Sequence, residues 1–146
     1  MDGSGEAPAS DTGTGGRVAE VVIGLFRLLE RRDIDGVVDT LAEQGVFFDP
    51  HYPPPIGPHV EGRDAFRRAI EWAYSALDSF EFEVVNVFDN PDRPTLGAVE
   101  VVAHHRLAGG PAINVPQVFV AELDRDGRLL RLQSFCPYPP PAPAPA

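Results

Sequence analysis

Apolar side chains at Val18, Val21, Val22, Leu25, Leu28 and Leu29 recur at helical spacing, with Arg17, Glu20, Arg27, Glu30 and Arg31 on the opposite side. The spacing predicts an amphipathic first helix. Arg32-Asp33 interrupts it, and Asp33 is suited to cap a short second helix carrying Ile34, Val37, Val38 and Leu41. Gly45 is expected to end that helix, after which VFFDP (46–50) reads as a short strand stopped by proline. The following loop, HYPPPIGPHVEG, is stiffened by its prolines. Gly62-Arg63-Asp64 then opens a third helix, with Phe66, Ile70, Ala73 and Leu77 on one face and Tyr74 at its margin.

The second half changes period. Residues 80–88, 96–107, 113–123 and 128–136 are rich in Val, Phe and Leu and alternate as strands do, with turns at Asn90-Pro91-Asp92, Gly109-Gly110 and Asp126-Gly127. Helices first and strands last predict an α+β fold, a curved antiparallel sheet of about five to six strands packed on three helices. A sheet bent over helices leaves a cone-shaped hollow that the side chains need not fill.

Composition sets the outer bounds. The 146 residues suit one domain, placed at 17–137, between a Gly/Ser-rich leader (1–16) and a Pro-rich tail (138–146). With 43% hydrophobic residues the chain can bury a real core. Net charge is 12 − 22 = −10, which disfavours nucleic acid and anionic membrane surfaces as partners. No apolar run is long enough for a membrane span, and the first residues lack the basic and apolar regions of a secretory signal. Cys136 is the sole cysteine, so an internal disulfide and a cysteine-based zinc site are excluded, and a reducing cytoplasm is the plainest setting.

Candidate chemistry collects where polar groups interrupt apolar faces. Asp49 ends the VFF strand; it either points into the hollow, where desolvation would favour acid-base work, or caps its own loop. His105 is the odd polar member of the face Val99, Val101, Ala103, His105, Leu107, open to reading as a proton shuttle or as a histidine satisfied by a buried hydrogen bond. Its neighbour His104 faces the other way. Gln117 interrupts Val115, Phe119, Ala121 and Leu123, and is read as holding a ligand carbonyl or as satisfied by backbone. On the last strand, Leu130, Leu132, Ser134 and Cys136 are expected inward, Ser134 as a donor and Cys136 as packing. His51, Tyr52 and His59 decorate the loop over the cavity mouth, while Trp72, Tyr74 and Phe119 serve as cavity wall or core. Asp49, His51, His59 and His105 lack the spacing of a metal site, so no metal is expected.

The stretch DIDGVVDTLAEQGVFFDP (33–50) resembles the ketosteroid isomerase and SnoaL-like group of the nuclear transport factor 2-like superfamily, as does the Asp126-Gly127-Arg128-Leu129 turn into a closing strand. GRDAFRRAIEWAYSALDSFEF (62–82) and AVEVVAHH (98–105) are similar to the phenazine-biosynthesis A/B branch. The resemblance spans 17–137 and implies a conical α+β barrel with a deep apolar pocket, a homodimer, and no cofactor. The aspartate base of ketosteroid isomerases falls on Asp49, whereas their two oxyanion donors fall on Leu25 and Gln117. The functional acid and helix histidine of phenazine A/B proteins fall on Ser134 and Ala69.

These readings lead to a small enzyme that binds an apolar, polycyclic or polyketide-type metabolite and moves protons on it, in cyclisation, isomerisation or dehydration. Asp49 would be the base and His105 the acid or orienting partner; Gln117, Tyr52, His51, Trp72, Tyr74, Phe119 and Ser134 would contact substrate. Two alternatives stay open: a non-catalytic binder or accessory protein with the same pocket, and an interaction module acting through its tail and outer sheet face.

Overall fold

A computed structural model describes residues 16–137; the expectations for the leader and the tail lie outside these residues, Gly16 apart. Helix α1 (Gly16–Glu30) buries Val18, Ala19, Val22, Leu25, Phe26 and Leu29, one stripe of its circumference. Asp33 caps α2 (Ile34–Asp39), its carboxylate accepting from the Gly36 amide at 3.0 Å. Helix α3 (Arg63–Ala76) begins at Gly62, whose φ of 84° is open to glycine at little cost. Arg32 holds the end of the helix and the chain just beyond it, its guanidinium donating to the carbonyls of Tyr74, Leu77 and Asp78 at 3.1, 2.8 and 3.1 Å.

Seven strands form one sheet: β1 (Leu41–Phe48), β2 (His59–Glu61), β3 (Leu77–Ser79), β4 (Phe82–Phe88), β5 (Leu96–Leu107), β6 (Ala112–Leu123) and β7 (Leu129–Phe135). The order is β2-β1-β7-β6-β5-β3, with β4 sharing the free edge of β5. The α+β class and the helix layer match expectation, but the sheet is mixed and unclosed. Strand β1 runs parallel to β7, pairing Phe47 with Leu132 and Phe48 with Gln133. Sequence patterning alone carries no strand direction, so this pairing was out of its reach.

Three local boundaries also move. Leu41, expected on the second helix, starts β1 and pairs with Leu129, because the Thr40 carbonyl accepts from the Leu129 amide at 2.8 Å. Leu77, expected on the third helix, is already extended in β3 opposite Leu107. Near Leu123 the β6–β7 register slips, so Leu129 is buried and Leu130 exposed, the reverse of simple alternation. Further along β7, Leu132 and Ser134 point inward as expected.

The core lies between α1 and the concave face of β5–β6. Phe26 stacks on Phe82 with ring centres 4.4 Å apart and meets Phe119 edge-on at 5.0 Å. Gly45 sits inside β1, where the chain bulges between Leu41 and Val46. A Cβ there would lie 2.6 Å from the Leu129 carbonyl oxygen and 2.7 Å from Leu41 Cγ. Gly45→Ala is expected to destabilise the protein by about 1–3 kcal/mol, the usual cost of overpacking, read as a lower urea midpoint. An unchanged midpoint would contradict the close approach of β1 and β7.

Candidate active site

The helices do not fill the concave face of the sheet. A cavity of about 370 Å³ remains, walled by Leu25, Phe26, Phe66, Trp72, Phe80 and Phe119, with Asp49, His51, Tyr52, His105 and Gln117 as its polar members. That volume falls at the lower end of the ~300–1,000 Å³ typical of small-molecule pockets, so it suits a compact ligand.

Asp49 follows directly on β1, where it both caps its own loop and lines the cavity. Its Oδ1 accepts the His51 amide at 2.9 Å, which turns the chain back on itself, and the same side chain is buried on the cavity wall. That oxygen also lies 2.6 Å from His51 Nδ1, forming an aspartate–imidazole pair. With the carboxylate ionised, Nδ1 carries the proton and donates it, leaving Nε2 as the ring's acceptor. Nε2 lies 3.8 Å from Cys136 Sγ. The Asp49 amide donates to the Pro58 carbonyl at 2.9 Å, pinning the loop end.

Tyr52 turns inward from the same loop, packed between Phe47 (5.8 Å) and Trp72 (5.4 Å). Its hydroxyl has no hydrogen-bond partner among the described residues. Burial raises its pKa, and the Asp49 charge raises it further, so it remains a neutral phenol.

His105 stands apart from Asp49, with no hydrogen bond between them among the described residues. Its ring is gripped edge-on by Phe80 and Phe82, each 5.1 Å away, and its buried Nδ1 has no hydrogen-bond partner. Desolvation lowers its pKa to about 4, with the adjacent His104 backbone opposing the shift. At neutral pH it is an uncharged imidazole.

Gln117 is buried and donates through Nε2 to Ser134 Oγ at 2.7 Å, so its partner is neither backbone nor His105. Ser134 lies behind the wall rather than on it. Trp72 and Phe119 line the cavity as expected, but Tyr74 does not. The Tyr74 hydroxyl donates to the Leu29 carbonyl at 3.2 Å, and the Arg32 guanidinium sits 4.9 Å above its ring, so it fastens α3 to α1. His104, on the outer face, bonds Glu83 at 2.8 Å and Asn114 at 2.7 Å. His59 stacks on Phe48 at 4.5 Å, away from the cavity.

Sequence reasoning missed two relationships. The first is His51 as the partner of Asp49, for which the Asp-Pro-His spacing after a strand was an available signal. The second is Cys136 beside His51, 85 residues away, for which there was none. Among the described residues no group of three or more His, Cys, Asp or Glu side chains could hold a metal ion.

Residues 22–132 match the family model described as a SnoaL-like domain. The chain belongs to the SnoaL-like family. The match is to the broad domain and does not single out the phenazine branch. No curated protein matches the chain. Among solved structures, RV0760c from Mycobacterium tuberculosis in complex with estradiol-17β-hemisuccinate superposes with TM-score 0.72 and 18% identity, covering 82% of this chain and 93% of that one. The Δ5-3-ketosteroid isomerase from Mycobacterium sp. gives TM-score 0.72 and 20% identity, over 82% and 92%. SalBIII, an epoxide hydrolase/cyclase-like enzyme of pyran ring formation in the polyether salinomycin, gives 0.68 and 21%, over 82% and 90%. At these identities the likeness establishes the shared fold.

The uncharged His105 carries a stability signature. The unfolded imidazole titrates near 6.5 and the folded one near 4, so between these values the unfolded chain binds more protons. Its contribution is complete above about pH 6.5 and is lost as pH falls toward 4. His105→Leu should lose less stability than the wild type across that window, by about 2–3 kcal/mol, in urea unfolding at both ends. Parallel losses in the two proteins would refute the buried, neutral imidazole.

Proposed function

We propose that this SnoaL-like chain is a cofactor-independent acid–base enzyme acting on an apolar, polycyclic or polyketide-like carbonyl compound, in isomerisation, cyclisation or dehydration. The observation that carries this is the Asp49–His51 pair, 2.6 Å apart at the wall of an otherwise aromatic cavity. Asp49 Oδ1 holds the imidazole at Nδ1 and the His51 backbone amide beside it, so His51 Nε2 is the proton acceptor and later the donor. Tyr52 and Gln117 offer neutral N–H and O–H groups to the oxygen that gains charge when a proton leaves the adjacent carbon. His105, held neutral by its phenylalanine cage, serves orientation rather than proton release. This departs from the division of roles expected from sequence, in which Asp49 worked with His105. Neighbouring proteins named for steroid ligands or cyclisation chemistry support a ligand of this class. A homodimer fits the same proposal, with exposed Val85, Phe88 and Phe135 supplying apolar surface for a second copy.

The competing reading is a non-catalytic binder, favoured by the neutral character of Tyr52, His105 and Gln117. Exchange of the α-protons of 2-tetralone for deuterium, followed by proton NMR, separates the two. The wild type should accelerate exchange, and Asp49→Asn and His51→Gln should each slow it by about 10²–10⁴-fold, with tetralone affinity changed little. Exchange at the solvent rate alongside measurable binding would establish the binder instead.

A further inference from the structure

The cavity carries polar groups at two levels of the sheet, and the proton transfer described above uses one of them. Strands β5 and β6 pair without a slip from Leu96 opposite Glu122 to Arg106 opposite Ala112. Gln117 stands opposite Val101 and His105 opposite Ile113, so four residues separate the two levels on each strand. An even step keeps both side chains on the concave face. At about 3.3 Å per residue the levels lie ~13 Å apart along the strands, and the inward bend of the sheet brings the side-chain tips to about 10 Å. Gln117 marks the Asp49–His51 end. Its partner Ser134, at 2.7 Å, comes two residues before Cys136, whose Sγ is 3.8 Å from His51 Nε2.

His105 belongs to the other end. Around it stand Leu77, Leu107, Ile113 and the rings of Phe80 and Phe82, all apolar. Its Nδ1 is enclosed without a partner, which leaves Nε2 as the nitrogen open to the cavity.

We propose that His105 is a second recognition point, selecting substrates that carry a hydroxyl about 10 Å from the carbonyl at which Asp49 and His51 move protons. The inference rests on the acid–base reading for the place of that carbonyl, and adds the chemistry of the ligand's far end. An uncharged imidazole holds one N–H and one bare nitrogen, so Nε2 either donates or accepts. A hydroxyl answers both cases, whereas a carbonyl answers only the first. No lysine or arginine lines the cavity, and His105 is itself uncharged at neutral pH. A carboxylate or phosphate at the far end would therefore be desolvated without a counter-charge. The volume of about 370 Å³, drawn out between the two ends, is narrow and suits linked rings in a rod. His105 touches no reacting atom in this arrangement. It orients the ligand so that the carbonyl meets Tyr52 and Gln117.

Three ketones test the proposal by isothermal titration of the full-length chain at neutral pH. In 4-(4-hydroxyphenyl)cyclohexanone the two oxygens match the separation of the two ends; 4-(3-hydroxyphenyl)cyclohexanone moves the hydroxyl aside, and 4-phenylcyclohexanone lacks it. The wild type should bind the first about 10-fold more tightly than either of the others, the worth of one net hydrogen bond. His105→Leu should erase that preference and leave the affinity for 4-phenylcyclohexanone unchanged, a pattern that a purely structural role would not produce. His105→Gln, neutral and able to hydrogen-bond, should keep part of the preference. Equal wild-type affinities, no binding of the three ketones, or a preference that survives in folded His105→Leu would overturn the proposal; the wild-type comparison needs no variant to fold. Exchange of 2-tetralone, too short to span both ends, separates the two failures. Accelerated exchange with no preference among the longer ketones removes the His105 contact and leaves the acid–base reading. A His105-dependent preference without exchange of any ketone leaves the contact and removes the acid–base reading.

Discussion

The parallel contact between β1 and β7 is the constraint on which the site depends. It joins an early strand to the final one, so that the loop leaving β1 emerges beside the end of β7. Asp49 and His51 are thereby placed against Ser134 and Cys136, which antiparallel pairing in the rest of the sheet connects to Gln117. The approach is close enough that only a glycine fits at position 45. Without this pairing the polar groups would belong to separate regions of the chain.

The cavity has a different origin. Helix α1 reaches the sheet through Phe26, which stacks on Phe82 and touches Phe119, and these rings hold the helix layer against one side of the concave face. On the other side the wall is built from Trp72, Tyr52, Phe47 and Phe66, rings that meet one after the next at 5.4, 5.8 and 5.3 Å. Such a hollow forgoes packing energy that a filled core would gain. It also lowers the local dielectric, which strengthens every charge interaction that opens on it.

Hydrogen-bond partnership divides the polar residues of the cavity. Asp49 keeps its place through two hydrogen bonds from His51, one from the backbone and one from the ring. His105 has no comparable partner at Nδ1 and stays uncharged between two phenylalanines. Two histidines of one cavity thus differ in kind, one coupled to a carboxylate and one isolated in apolar surroundings.

The helices, the long strands β5 and β6 and their inward faces were legible in the sequence, because period and burial coincide along uninterrupted elements. Val99, Val101 and Ala103 on one strand and Gln117, Phe119, Ala121 and Leu123 on the next are all buried as alternation required. Asp49, His105, Tyr52, Trp72, Gln117 and Phe119 were identified as residue types, and the structure puts all six at the cavity. Alternation failed at the bulges, where Leu41 joined a strand and Leu129 exchanged places with Leu130, since an inserted residue reverses the faces beyond it. Partnership was the larger gap. Whether Asp49 meets His105 or His51, and whether Cys136 merely packs or touches a base, depends on strand direction and register between segments far apart in the chain. Local pattern records which face a side chain takes; only the folded sheet decides what stands opposite it.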